Sequence, residues 1–396
     1  ADEADARRDG PDGRHGQGRR VGGGTDGGGG SPDAHEPATA DDGTGKDYTG
    51  WLCTYYIYDI LKNLRAVIQP EGVKACATAS FSNCSPLNDA TLLSEQCFRY
   101  EYDQRNRMMM KKVPGAGDVY MVYDVRDRLV MTQDANLRAD GKWIVTKYDA
   151  LLNRPVETGL WTNSTSFADH RAAAYNSSDY PPTSSGYEEL TKTFYDSYAW
   201  LGSYGNPLPS AYNNTYDNYF QAASNSNWPY PQANTQSALL KGLVTGTRIK
   251  VLGTSTYLYS VSFYDDKGRL IQEQATNISG ATDIVTTQYT WAGQPLVTVQ
   301  KQEKQGFNAQ TTVVVTQLSY DELARLVKAE KKMSNSLVNG GAMPSSYKTI
   351  LQHEYDKLGQ LKNKKVGTDP NNSSNPLEAM NYEYNIRGWM LGANRD

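Results

Sequence analysis

Histidine is scarce in this chain, and its four copies, His15, His35, His170 and His353, are scattered, two of them in a Gly-rich head. No Ser stands in a Gly-x-Ser-x-Gly elbow, so a nucleophile and its base have no local motif to be built from. Cysteine is equally sparse: Cys53, Cys76, Cys84 and Cys97 show no Cys-x-x-Cys spacing and have no His beside them, which argues against a zinc site. In an exported chain these four would permit disulfides in three connectivities, and the sequence does not choose among them. No run of about 18 apolar residues occurs, so no helix is predicted to span a bilayer. The formal net charge of −4 gives no reason to invoke nucleic acid or an anionic membrane as partner. Phe is also rare, at 7 residues against 28 Tyr, and only 38% of the chain is apolar. Strands carrying Tyr on one face and Thr, Ser, Gln or Lys on the other suit a sheet wetted on at least one side.

Residues 1–46 are a separate material: thirteen are Gly, and the segment has no Phe, Tyr, Trp, Leu, Ile or Met. Such a stretch cannot bury enough surface to offset the entropy of ordering and is predicted to be a disordered tail. It has no apolar core of a signal peptide, and it reads as a linker or a mis-framed start.

What the rest of the chain does have is a recurring heptapeptide, cleanest at Tyr264-Asp-Asp-Lys-Gly-Arg-Leu270. The preceding Tyr257-Leu-Tyr-Ser-Val-Ser-Phe263 is aromatic and β-branched, and predicts a strand. Asp265 is placed to accept backbone N–H groups of a tight turn. Gly268 supplies the left-handed conformation that closes a type I turn into a bulged hairpin. Arg269 and Leu270 start the returning strand. The same pattern recurs at Tyr58-Asp59, Tyr102-Asp103, Tyr123-Asp124, Tyr195-Asp196, Tyr320-Asp321 and Tyr355-Asp356, the last followed by Gly359. Tyr148-Asp149 carries one extra residue, and Tyr289-Thr290 and Tyr384-Asn385 are looser copies. Tyr195-Asp196 is expected to turn back at Trp200-Leu201. Spacings of roughly 20 to 45 residues signal a repeat architecture in which each unit buries its face against its neighbours.

Tyr-Asp-x-x-Gly-Arg-Leu, as it stands at 264–270, resembles the YD repeat of the RHS proteins, and the pattern covers the chain from about Trp51 onward. The resemblance implies an all-β chain of repeated hairpins forming a spiralling sheet, part of a hollow shell in a secreted or surface-displayed bacterial protein. It implies a role as a wall segment enclosing or presenting a C-terminal toxin or effector domain, which would be the chain's own downstream partner and is not in this sequence. Asp369-Pro370 lacks the Gly-containing surroundings of the autoprocessing motif of toxin relatives and is read as a loop.

Four regions follow: the tail 1–46, hairpins over 47–160, a Tyr/Asn/Ser/Pro-rich insertion over 161–245, and hairpins over 246–396. Expressed alone, 47–396 is expected to self-associate through unpaired strand edges. The insertion is the natural place for binding in a repeat array. Trp161, Trp200 and Trp228 are its candidate stacking platforms for a cell-surface glycan, and packing of these aromatics against the sheet is the competing reading. Asn163-Ser-Thr165 and Asn213-Asn-Thr215 match glycosylation sequons. No cofactor is implied. Each repeated Asp is accounted for by its turn, whereas a glycosidase needs two carboxylates facing one cleft. The chain is therefore read as non-enzymatic.

Overall fold

The structure, a computed structural model, describes residues 53–78, 90–223, 228–369, 372 and 375–394. The Gly-rich tail 1–46, Trp51, Cys84 and Pro370 lie outside these residues, as does the side chain of Cys76. Cys53 and Cys97 are free thiols, Cys97 being buried.

The expected all-β class is what is found: the described residues form twenty strands, all in antiparallel sheet. The chain divides into two compact units, 1–189 and 190–396. In the first, β1 (Tyr55–Tyr58), β2 (Leu64–Ile68), β3 (Cys97–Tyr102), β4 (Met108–Lys112), β5 (Val119–Tyr123), β6 (Leu129–Gln133), β7 (Lys142–Tyr148) and β8 (Pro155–Thr162) pair successively in chain order. Four short helices interleave with them: α1 (Pro70–Thr78), α2 (Ala90–Gln96), α3 (Ala135–Ala139) and α4 (Phe167–Tyr175). β9 (Tyr187–Tyr195) carries the chain into the second unit.

There the meander continues through β10 (Val244–Lys250), β11 (Tyr257–Tyr264), β12 (Leu270–Thr276), β13 (Thr282–Tyr289), β14 (Pro295–Lys304) and β15 (Gln310–Tyr320). It ends with β16 (Leu326–Asn335), β17 (Lys348–Tyr355), β18 (Leu361–Val366), β19 (Glu378–Tyr384) and β20 (Met390–Ala393).

Each motif copy sits at a hairpin tip and makes the same bulge. Phe263 faces Gln272 while Tyr264 faces Leu270, so Ile271 is the extra residue, and equivalent shifts occur at Tyr102, Tyr123, Tyr320 and Tyr355. The fourth residue after each Tyr takes positive φ: 58° at Asn106, 62° at Asp127, 73° at Gly268, 65° at Ala324 and 83° at Gly359. Asn and Asp tolerate this region and Gly has no Cβ to clash in it, whereas Ala324 holds it against a steric penalty.

One copy departs from expectation. Tyr195-Asp196 does not turn back at Trp200-Leu201, which lie in a 3-10 turn, Ala199–Gly202. The partner strand starts instead at Val244: Tyr195 faces Val244, the Asp196 N–H donates to Leu243 O, and Gly242, at φ 85°, donates its N–H to Asp196 Oδ1. Gly242-Leu243-Val244 is thus the missing Gly-Arg-Leu half of the motif, and Ser197–Lys241 is spliced into the hairpin tip. A tip fixed by a few backbone hydrogen bonds at its base does not constrain what lies beyond them.

In the second unit one polar face is covered, while Val285 on the opposite face of β13 is exposed, as a sheet wetted on one side requires. Gln272, Gln274, Thr286 and Gln288 lie on one face of β12 and β13 and are buried. Described residues of the segment between Ser197 and Lys241 cover that face, and the backbone of Ala211, Asn213, Gln221 and Gln232 supplies the partners that buried amides require.

Candidate functional site

The one constellation that recurs is the tip of each hairpin, and its chemistry can be followed atom by atom at Asp265. Oδ1 accepts the N–H groups of Lys267 (3.0 Å) and Arg269 (2.9 Å), while Oδ2 receives Nε and Nη2 of Arg269, both at 2.6 Å. Asp103 with Arg107, Asp124 with Arg128 and Asp321 with Arg325 repeat the arrangement at 2.6–2.7 Å. Asp149 clasps Arg154 through Nε despite its extra turn residue. Asp59 uses Asn63 in place of Arg, and Asp356 receives the backbone N–H groups of Leu358 and Gln360. Planar, charge-assisted contacts of this kind are stronger than neutral hydrogen bonds.

At Asp103 and Asp321 the donors also lower the carboxyl pKa. Burial works to raise the Asp103 carboxyl, but donors from the Arg107 side chain and the Arg107 and Arg105 backbone outweigh it and hold the group below the usual Asp range. At Asp321 the Arg325 side chain is the leading cause of the same downward shift.

The Arg also reaches forward to the next repeat. Arg269 Nη1 donates to Thr290 O at 2.7 Å, and its guanidinium lies 5.0 Å from the centre of the Tyr289 ring. Arg107 does the same to Asp124 O and the Tyr123 ring. Arg128 stands 5.0 Å from the Tyr148 ring centre, and Arg325 stands 4.5 Å from that of Tyr355.

The Tyr answers in the opposite direction, donating its hydroxyl to the carbonyl at the Leu position of the preceding repeat. Tyr148 bonds Leu129 O, Tyr264 bonds Val244 O, Tyr289 bonds Leu270 O, Tyr320 bonds Pro295 O and Tyr355 bonds Leu326 O, all at 2.7–2.9 Å. Burial raises the pKa of Tyr148, Tyr264, Tyr289 and Tyr320 above the ordinary phenol value.

Tyr, Asp and Arg therefore form a reciprocal ladder in each unit, with arginine reaching forward and tyrosine back. Sequence reasoning placed Asp and Gly in the turn but assigned no partner to the Arg or the Tyr hydroxyl. The signal was their co-occurrence five residues apart, as at Tyr264 and Arg269, which a turn alone does not require. With both oxygens engaged, Asp103, Asp124, Asp265 and Asp321 act as turn caps and attachment points for arginine. Among the described residues no group of three or more His, Cys, Asp or Glu is set to hold a metal. None of the helices described is long and apolar enough to cross a membrane.

The three tryptophans proposed for stacking are placed differently from one another. Trp161 is 5% exposed in the core of the first unit, with Nε1 donating to Ser185 O. Trp200 is 9% exposed, stacked on Phe194 at 4.0 Å and bonded through Nε1 to Thr245 Oγ1. Neither presents a ring face to a sugar, because each serves to dock a covering segment on the sheet. Trp228, at 38%, keeps part of its ring in solvent beside Tyr230.

No family model matches the sequence, and no curated protein matches it. Among solved structures, TcdB2-TccC3-Cdc42 aligns over 88% of this chain at 15% identity and a TM-score of 0.34. TcdB2-TccC3-TEV aligns over 88% at 15% identity with a TM-score of 0.35. The Photorhabdus luminescens Tc holotoxin pore carrying a TccC3 substitution aligns over the same share at 15% identity with a TM-score of 0.34. This chain spans only 15–16% of the length of those chains. A likeness of this size carries no argument about function.

Proposed function

We propose that this chain is a structural wall segment of an RHS-type shell in a secreted or surface-displayed protein, enclosing or presenting an effector domain encoded downstream. The observation that carries the reading is the ladder. One set of side chains closes each hairpin and binds it to the next, so a sheet built this way grows by addition of repeats and needs no single core. The paired Asp and Arg side chains at Asp103, Asp124, Asp265 and Asp321 are committed to closing and joining hairpins, which suits a part whose work is enclosure.

The test is to express the gene product together with the sequence that follows this chain and to digest it under native conditions. A downstream segment that resists protease in the longer protein and is degraded when expressed alone supports the reading. A downstream segment equally sensitive in both, or a gene in which no further domain follows the repeats, overturns it.

A glycan-recognition role for the insertion rests on Trp228, the one candidate with an accessible ring. Loss of glycan-array binding in Trp228→Ala would favour that second reading.

A further inference from the structure

A cavity of about 520 Å³ lies in the first unit between strands β6 to β8 and the loop that follows α4. Its volume is within the range typical of small-molecule sites. The lining is apolar at Val130, Val156 and Pro181, carries Tyr148, and is otherwise polar.

The charges on that lining decide what it can take. Two are positive, Arg128 and Lys147, and two are negative, Glu157 and Asp179. The Arg128 guanidinium is fully engaged by Asp124, Asn153 Oδ1 and Ser178 O. Lys147 Nζ donates to Glu157 at 2.8 Å and lies 3.8 Å from the centre of the Tyr187 ring. An anion would find no cation without a counter-charge, and a metal ion would meet Lys147 beside the one buried carboxylate, Glu157.

A neutral polyol fits this lining. Neighbouring hydroxyls can bridge a paired ammonium and carboxylate, donating to one and accepting from the other. The Thr146, Thr183 and Ser184 hydroxyls serve either role, and half-buried Val156 and Tyr148 offer apolar surface to the C–H face of a sugar ring. We propose that this cavity is a monosaccharide-binding site, with Lys147 and Glu157 reading vicinal hydroxyls. The site stands apart from the shell reading, which can fail without affecting it, and from Trp228.

Saturation-transfer NMR on the full chain with free glucose, galactose, mannose and N-acetylglucosamine tests it, with inorganic phosphate as the anionic control. A dozen-atom neutral ligand is expected to bind with Kd on the order of 1 mM. At least one of these sugars should bind, and Glu157→Gln should weaken it about tenfold or more. Thr183→Trp, on the loop side, should fill the cavity and abolish the signal while leaving circular dichroism and Tm unchanged, which keeps the test valid if Glu157→Gln unfolds. Trp228→Ala should have no effect. Absence of binding by all four sugars, binding that survives Thr183→Trp, loss in Trp228→Ala, or a response to phosphate alone would overturn the proposal.

Discussion

The two units build the same bulged hairpins but cover a sheet face in opposite ways. In the first, α4 brings side-chain shape: Phe167 stacks on Tyr120 at 4.3 Å, His170 sets its edge 4.9 Å from Trp143, and Ala174 is fully buried among Val122, Val130, Val145 and Trp161. In the second, Ser197–Lys241 has little regular structure, and the sheet recognises its backbone. Gln272 exchanges two 2.8 Å hydrogen bonds with the N–H and C=O of Asn213, and Gln288 does the same with Gln221 at 2.9 and 2.8 Å. Apolar clusters flank these pairs, around Trp200 and Phe263 on one side and Leu296 and Val315 on the other. A helix satisfies its own backbone and asks the sheet only for apolar area. An irregular segment does not, and must find its partners in the sheet's side chains.

Breaking the apolar cover should cost most. Trp143→Ala, at a fully buried ring, is expected to destabilise the first unit by about 3–5 kcal/mol. Urea denaturation measures the loss, and hydrogen exchange should quicken in β5–β8 while β11–β15 keep their protection. Equal acceleration in both units would dissolve the contrast.

The polar cover should break more gently. Gln272→Leu keeps the volume but strands the Asn213 N–H and C=O, an expected loss of about 2 kcal/mol given about 1–3 kcal/mol for each unpaired buried group. Proteolysis should move into Ser197–Lys241 first. An unchanged urea midpoint would mean that the glutamine pairs contribute nothing and that the apolar clusters alone hold the segment.

Acid should separate the units as well. Burial depresses the His170 pKa, with Asp169 opposing the shift and the Tyr180 hydroxyl 2.6 Å from Nδ1. The folded first unit therefore refuses a proton that the unfolded chain accepts near its ordinary value of about 6.5. Stability from this source is complete above that value and falls as pH drops through it toward the lower folded pKa. Midpoints measured from pH 7.5 to 5 should decline for the wild type and flatten in His170→Leu. A decline that persists in the variant would place the titrating group elsewhere. The lowered Asp103 and Asp321 act later, giving up stability as pH falls below the ordinary Asp range.

The smallest effect tests what the units share. Ala324→Gly relieves a positive φ of 65° and should stabilise by about 0.4–1 kcal/mol, whereas Gly268→Ala should destabilise by about 1 kcal/mol. Melting temperatures that move in neither variant would remove the common turn from the account of both units.

The hairpins were legible because their determinants are local: Asp265 and Gly268 shape one tip within four residues. The ladder was half legible, since Tyr and Arg are visible together at 102/107, 123/128, 264/269 and 320/325 but their partners belong to the neighbouring repeats. The split copy was not read because Asp196 and Gly242 meet across the whole insertion. The clue was present in Lys241-Gly-Leu-Val244, a motif ending without a beginning. The cover over the glutamines was not legible for a physical reason. A polar residue in a strand predicts solvent only when no backbone arrives to pair with it, and nothing in Gln272 or Gln288 announces the segment that does.

The split tip has a consequence for how such a chain can change. Its closure needs Asp196 to meet Gly242 and Leu243, and nothing in those contacts counts the residues between. The entropy of holding a loop's ends together grows only logarithmically, about 0.6 kcal/mol for each doubling of its length. At this tip the neighbouring rung is intact beside the splice, with the Tyr264 hydroxyl still donating to Val244 O. Repertoire can accumulate at the ends of the strands while the sheet that displays it stays the same.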